Sequence, residues 1–255
     1  MSAVHLEMHD GIAEIRLDNP SKLNAFTVEM LAQLGDHLDR LEHLADIGCV
    51  IVTAEGERAF CAGADINAWG SLTPAEFARH WVRDGHRIFD RLARLSKPVV
   101  AAMTGHAFGG GLELAAACDI RVMAPTATIA LPEANVGIVP GWSGTQRLAR
   151  LLPEPILKEM ALFGRRISAE RAHGLGFVAE VSDTPVETAR AIAKSVLGLS
   201  PRAVEVAKFM IHAGRGEDRD AMIEALGSSA IAASADRDEG VAAFRAKRKP
   251  AFSGE

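Results

Sequence analysis

The 255-residue chain is predicted to be an α/β protein with a helical C-terminal region, on three observations. Unbroken apolar runs of strand length alternate with stretches of helical spacing. Two glycine-rich turns, Phe60-Cys61-Ala62-Gly63-Ala64-Asp65 and Gly109-Gly110-Gly111-Leu112-Glu113-Leu114, punctuate that alternation, and the second opens directly into a helix-forming run. From Thr184 onward the pattern is almost entirely helical.

In chain order, residues 11–17 alternate apolar and polar as a half-buried strand does. Leu31, Leu34, Leu38, Leu41 and Ala45 then follow helical spacing. Cys49-Val50-Ile51-Val52 and Pro98-Val99-Val100-Ala101-Ala102 read as strands covered on both faces. Between them, residues 74–95 are predicted to be a helix opened by Thr73-Pro74-Ala75-Glu76, a capping box with proline at the first helical position. Ile120-Arg121-Val122-Met123 and residues 176–181 complete the predicted strands. Thr184-Pro185-Val186-Glu187 repeats the capping signal, and the helical tail after it breaks at Ser200-Pro201 and Gly214-Arg215-Gly216. A domain boundary is placed near residue 197, giving a core of residues 1–197 and a helical region of residues 198–255.

Charge and cysteine usage narrow the function. Lys and Arg number 28 against 33 Asp and Glu, a net charge of −5, so there is no basic field for nucleic acid or anionic membranes. The N-terminal apolar stretch is broken by Glu7, His9, Asp10, Glu14 and Arg16, unlike a secretory leader, and a cytoplasmic location is expected. Residues 98–118 are the most apolar stretch, but His106, Glu113 and three consecutive glycines would be costly in lipid, so no membrane association is expected. Cys49, Cys61 and Cys118 have no C-x-x-C spacing and are expected to be reduced thiols. Cys61, beside the first glycine turn, reads as either a small buried hydrophobe or a nucleophile.

The glycine turns carry the strongest chemical signal. Each removes the Cβ atoms that would keep a ligand from backbone N–H groups, and the second turn leads into a helix N-terminus that favours negative charge. Two such N–H groups would make an oxyanion hole. Glu113, in the first turn of that helix, and Glu133, twenty positions on in Leu131-Pro132-Glu133, both have apolar flanks that disfavour the ionised carboxyl. The structural alternative for each is a helix-terminal or loop-capping acid.

These segments resemble the enoyl-CoA hydratase/isomerase, or crotonase, family. The resemblance spans nearly the whole chain and includes Leu23-Asn24-Ala25-Phe26, Gly137-Ile138-Val139-Pro140-Gly141, Gly144-Thr145-Gln146-Arg147-Leu148 and Ala243-Phe244-Arg245-Ala246-Lys247-Arg248. It implies a spiral of ββα units followed by a C-terminal helical trimerisation region, and a homotrimer or dimer of trimers. It implies a trans-2-enoyl-CoA hydratase, with Ala64 and Gly110 N–H groups holding the thioester oxygen, Glu113 polarising the attacking water and Glu133 protonating the α-carbon. A coupled pair of carboxyls can also share one proton. No cofactor is implied beyond the coenzyme A of the substrate.

By the same resemblance, Lys22, Leu23, Ala25, Ala62, Ala64, Asp65 and Ile66 contact the coenzyme A, and Phe244 and Lys247, three apart on one helical face, reach it from a neighbouring subunit. Asn67 stands where many relatives carry lysine. The alternative for Lys22 is a solvated lysine, and for Arg245, Lys247, Arg248 and Lys249 a cationic helix end. Trp142 and Ser143 replace smaller residues; Trp142 either narrows the acyl pocket or packs on the surface, and residues 69–87 are the expected pocket wall.

Other classes lack their residues. The chain has no tyrosine, so no Tyr-Lys dehydrogenase pair exists, and no G-x-G-x-x-G, G-K-[ST] or G-x-S-x-G signature occurs. The histidines show no metal-ligand spacing. The alternatives to a hydratase are an isomerase or other acyl-CoA-transforming member of the family, and a non-catalytic acyl-CoA or RNA binding protein.

Overall fold

The apolar runs 49–52 and 98–102 are unbroken because their strands bury both faces. In the computed structural model, which describes residues 2–217 and 219–255, Ala13, Ile15, Leu17, Val50, Val52, Val99 and Ala101 face the main core, whereas Ile12, Cys49, Ile51, Val100 and Ala102 face a second cluster closed by Ala189 and Ala193. The strands involved are β2 (Ile12–Asp18), β3 (Cys49–Ala54) and β5 (Val99–Met103). Together with β1 (Ala3–His9), β7 (Ile120–Met123) and β10 (Glu180–Val181) they form a six-stranded sheet of order β1-β2-β3-β5-β7-β10. Its pairings are parallel except β1 with β2, which run antiparallel from Ala3 opposite Asp18 to His9 opposite Ile12.

A smaller sheet of order β4-β6-β8-β9 is built from β4 (Ala59–Cys61), β6 (His106–Phe108), β8 (Thr128–Ala130) and β9 (Ile167–Ser168). After β1 and β2, which both join the large sheet, three successive turns of the chain each give one strand to the large sheet, the next to the small sheet, and then helix. After β3 and β4 come α2 (Ile66–Trp69), α3 (Pro74–Glu76), a π-helical turn Phe77–Val82 and α4 (Arg83–Ala93). After β5 and β6 comes α5 (Gly110–Ala117), buried along its whole length. After β7 and β8 come a 3-10 turn Glu133–Val136, α6 (Gly144–Leu151) and α7 (Glu154–Ala161). The helix α1 (Val28–Glu42), preceding β3, is capped by Thr27 and buries Met30, Leu31, Leu34, Leu38 and Leu41. This succession is the ββα spiral.

The remaining helices are α8 (Ala169–Gly174), α9 (Pro185–Val196), α10 (Pro201–Gly214), α11 (Arg219–Ala232) and α12 (Ala235–Arg245). The chain divides into two compact units, one ending at Glu205 and one spanning Val206–Glu255. Among the described residues, no helix is long and apolar enough to cross a membrane.

Several expectations are corrected. Ala45 lies beyond α1, which ends at Glu42 with His43 as its cap. The strand expected over 176–181 is reduced to Glu180–Val181, because Gly176 turns at φ +77° and Phe177 and Val178 donate back to the Ala172 carbonyl, ending α8. The box at Thr73 forms as expected, with Thr73 and Glu76 bonded reciprocally. At Thr184 it does not form: the Thr184 N–H is taken by Ser182 Oγ at 3.1 Å, and the Thr184 side chain makes no capping bond. The helix over 74–95 ends at Ala93 and widens to π geometry at Phe77–Val82.

Candidate active site

Three neighbouring parallel strands of the small sheet end at one edge, and the segments that leave them converge there. Ala62, Gly63 and Ala64 come after β4, Gly109 and Gly110 after β6, and Glu133 after β8, beyond Leu131 and Pro132. Gly63 has φ +103°, and a Cβ added to it would sit 3.3 Å from the Gly110 nitrogen, so the two glycine turns are in contact. Gly109, at φ +52° and ψ −124°, adopts a conformation closed to side-chain-bearing residues, and a Cβ there would lie 3.0 Å from Oε1 of Glu133.

Local pairing decides where the amides point. Phe26 and Ala64 form a parallel bridge in which the Phe26 N–H donates to the Gly63 carbonyl at 2.8 Å and the Asp65 N–H to the Phe26 carbonyl at 2.9 Å. Strand alternation therefore turns the N–H of Ala64 to the opposite side. Gly110 is the first residue of α5, so its N–H has no acceptor within the helix. Among the described residues, neither N–H is engaged by a loop carbonyl or a side chain. Both residues line a cavity of about 230 Å³ that also receives Glu113 and Glu133.

Glu113 is only 3% exposed. Its Oε1 accepts the N–H of Trp142 at 2.8 Å and that of Gly144 at 2.7 Å. Burial, reinforced by the charge of Glu133, outweighs those two bonds and the charge of Arg147, and pushes its pKa up to about 7. Glu133 is likewise raised to about 7 by burial, against its own backbone N–H. Its Oε2 is buried without a hydrogen-bond partner among the described residues, an arrangement that favours the neutral acid. Two carboxyls poised near neutrality in one cavity can hold one proton between them, with one accepting and the other donating.

The loop that grips Glu113 is itself held. Ser143 sits between the two donor residues at φ +77°, with its Oγ 3.0 Å from Nδ1 of His86 on α4. Asp90, one turn on from His86, accepts a 2.6 Å bond from buried Arg147. Trp142 is 3% exposed, its indole N–H donates to the Trp81 carbonyl at 3.2 Å, and its ring meets Phe26, Trp81 and Phe89. Of the two readings of Trp142, surface packing is therefore overturned: it forms the cavity wall with Trp69, Phe77, Trp81 and Val82. Cys61 is fully buried and its thiol is pushed up to about 12 by burial, which leaves no thiolate for nucleophilic chemistry.

The expected coenzyme A residues fall into two places. Ala62, Ala64 and Ile66 line the cavity, and Ala62 also lines an adjoining hollow of about 280 Å³ with Leu23. Leu23 and Ala62 are tied by a 2.9 Å backbone bond, Ala25 is buried, and Lys22 is exposed with its Nζ 3.5 Å from Asp65. Asp65 caps α2, and its Oδ1 takes both the backbone and the side-chain N–H of Asn67. Phe244 and Lys247 belong to the C-terminal unit. They do not share a helical face: α12 ends at Arg245, Lys247 has φ +51°, and the Arg248 N–H closes on the Ala243 carbonyl, the bond of a left-handed helix end.

Trp142 and Gly144 as the holders of Glu113 lie outside what sequence reasoning assigned, whereas Trp69, Phe77, Trp81 and Val82 fall within the expected wall of residues 69–87. A signal existed in Gly85, which lies within helix α4: a Cβ there would collide with the Trp142 indole nitrogen. Interior helix glycines are costly and mark close approach.

Residues 7–255 match the profile of the family described as Enoyl-CoA hydratase/isomerase. The chain is 33% identical over 255 residues to the short-chain-enoyl-CoA hydratase of Clostridium acetobutylicum, covering 98% of this chain and 97% of that protein. It is 34% identical over 251 residues to the crotonyl-CoA hydratase of Syntrophomonas wolfei, covering 97% and 96%. Among solved structures, an enoyl-CoA hydratase from Bacillus anthracis superposes with a TM-score of 0.81 at 34% identity over 99% of both chains. The architecture is thus that of the crotonase fold, an α/β spiral with a C-terminal helical region. Within it, the chain belongs to the enoyl-CoA hydratase/isomerase family, a family of enzymes.

Proposed function

We propose that this protein is an enoyl-CoA hydratase that adds water, in syn geometry, across the double bond of a trans-2-enoyl-CoA to give a 3-hydroxyacyl-CoA. The observation that carries the reading is the shared cavity: two carboxyls, each raised to about 7, beside two main-chain N–H groups available for a new acceptor. The Ala64 and Gly110 N–H groups hold the thioester oxygen, whose negative charge grows as the enolate forms; such donors contribute roughly 3 to 4 kcal/mol each to the barrier. Glu113, fixed by the Trp142 and Gly144 N–H groups, accepts the proton of a water whose oxygen bonds to C3. Glu133, unpartnered at Oε2 and so favouring its protonated form, donates to C2 as the enolate collapses. One water is consumed, and the proton gained by Glu113 and the one lost by Glu133 are restored through solvent. The chemistry needs no cofactor beyond the coenzyme A of the substrate.

The thioester's coenzyme A is assigned to the segment of Lys22, Leu23, Ala25, Ala62, Ala64, Asp65 and Ile66, with Phe244 and Lys247 supplied by a neighbouring subunit of a homotrimer or dimer of trimers. Residues 198–255 supply the contacts between subunits, and the protein acts in the cytoplasm. The hollow lined by Leu23 and Ala62 supports the first assignment. Met210, Ile211, Ile223, Ile231 and Phe244, all more than 60% exposed, support the oligomer. Purified protein mixed with crotonyl-CoA is expected to remove the conjugated-enoyl absorbance. Inertness toward enoyl-CoA esters of every length would overturn the reading, and turnover confined to 3-enoyl-CoA esters would replace it with an isomerase.

A further inference from the structure

Beyond the Trp81–Trp142 wall lies a second, larger cavity of about 500 Å³, with Leu31, Ala68, Leu72 and Ile88 on its apolar side and His80, Asp84, Arg87 and Arg91 along its polar rim. Of the described residues, Trp81 alone lines both this space and the cavity that receives the two glutamates. Trp81 is 6% exposed and sits in the π-helical turn Phe77–Val82. It is braced from the catalytic side by Trp142, with ring centroids 5.2 Å apart and the Trp142 indole bonded to the Trp81 carbonyl. The brace in turn requires Gly85, since any side chain there would collide with the Trp142 ring.

From this arrangement we infer that Trp81 is a partition that fixes the acyl length of the substrate: the enzyme takes short-chain 2-enoyl thioesters, and the second cavity is a tail space that Trp81 keeps closed. This inference rests on the hydratase reading and narrows its substrate class. The cavity on the glutamate side, about 230 Å³, lies below the range of about 300 to 1,000 Å³ typical of pockets that enclose drug-sized ligands. Its deep end is closed by buried Trp81 and Trp142, whereas Ile66, Val136 and Val139 on its rim are more than half exposed. An acyl group whose C2 and C3 lie between Glu113 and Glu133 therefore meets indole after a few carbons. Removing the Trp81 ring would join the two spaces and let a longer tail lie against Leu31, Ala68, Leu72 and Ile88.

The test has two arms. Affinity of the wild-type protein for saturated acyl-CoA esters, from butyryl to dodecanoyl, is read by titration calorimetry. If the tail were buried throughout, each added methylene would tighten binding by about fourfold. The partition predicts that this gain stops after the short esters, and continued tightening through dodecanoyl-CoA would overturn it. In the second arm, Trp81→Ala is compared with wild type for the ratio of kcat/KM on trans-2-dodecenoyl-CoA to that on crotonyl-CoA. The ratio is expected to rise by at least about tenfold, the selectivity a hydrophobic pocket readily supplies. An unchanged ratio in a variant that keeps the wild-type circular dichroism and still hydrates crotonyl-CoA would overturn the inference. Should Trp81→Ala not fold, the wild-type binding series decides by itself. A wild-type protein inert toward every enoyl ester but with the binding plateau intact would remove the hydratase reading and leave the partition standing.

Discussion

A carboxylate that accepts two main-chain N–H bonds is ordinarily held in its ionised form, yet Glu113 titrates near 7 because burial and the second carboxyl outweigh those bonds. Both glutamates therefore bind a proton more tightly in the native chain than in the unfolded one, where the value is 4.5. The native state holds more protons between pH 4.5 and about 7, so its stability falls as pH rises through that window, by on the order of 3 kcal/mol for each carboxyl. Glu113→Gln removes the ionisable group while keeping an oxygen for the two N–H donors. It is expected to melt above wild type at pH 8, with the difference shrinking toward pH 5 in thermal scans. A difference independent of pH would show that burial does not set the proton affinity. Glu113→Gln and Glu133→Gln are each expected to lower kcat by about 10²–10⁴-fold with acyl-CoA affinity largely kept, which turnover and calorimetry measure together. Wild-type kcat/KM should pass through a maximum near pH 7, since the mechanism needs one carboxyl protonated and one ionised.

Strand ends and helix starts explain why the two acids meet. β4, β6 and β8 have only three residues each, too few to display a period, so the small sheet was hidden in the sequence although the turns after its strands were conspicuous. The large sheet was legible, because strands buried on both faces leave continuous apolar runs. Glu113 was legible from its place after three glycines. Its donors were not, because Trp142 and Gly144 are 29 and 31 positions away and reach it only through the packing of α6 on α5. The helical face assigned to Phe244 and Lys247 failed for a local reason: a lysine took the left-handed position that glycine usually marks, and nothing in its neighbours announced the stop. At the level of these turns, Gly109→Ala carries two penalties, a strained backbone at φ +52° and a Cβ 3.0 Å from the Glu133 carboxyl. It is expected to cost about 1–3 kcal/mol in urea unfolding and to lower kcat by at least tenfold through displacement of Glu133. Wild-type turnover in that variant would separate Glu133 from the glycine turn.

At the scale of the whole molecule, the C-terminal unit is the part whose surface is least like that of a monomer. Met210, Ile211, Ile223, Ile231, Phe244 and Phe252 are each more than 60% exposed within fifty residues, Val206–Glu255, where isolated soluble domains keep such side chains scattered. Helices α11 and α12 each bury one apolar side chain, Met222 and Ala243 respectively, and leave Ile223, Ile231, Val241 and Phe244 exposed. Closed rotational assembly is the arrangement that covers the same patch on every copy, and a trimer or a pair of trimers satisfies it. Sedimentation equilibrium is therefore expected to give a mass three or six times that of the chain. Ile231→Asp with Phe244→Asp, two changes at exposed positions, should leave the circular dichroism of the fold intact, lower the mass toward that of one chain, and weaken coenzyme A ester binding if the neighbouring subunit supplies Phe244 and Lys247 to the ligand. A wild-type protein that sediments as a single chain at micromolar concentration would remove the oligomer, and with it the shared coenzyme A site, while leaving the chemistry of Glu113 and Glu133 untouched.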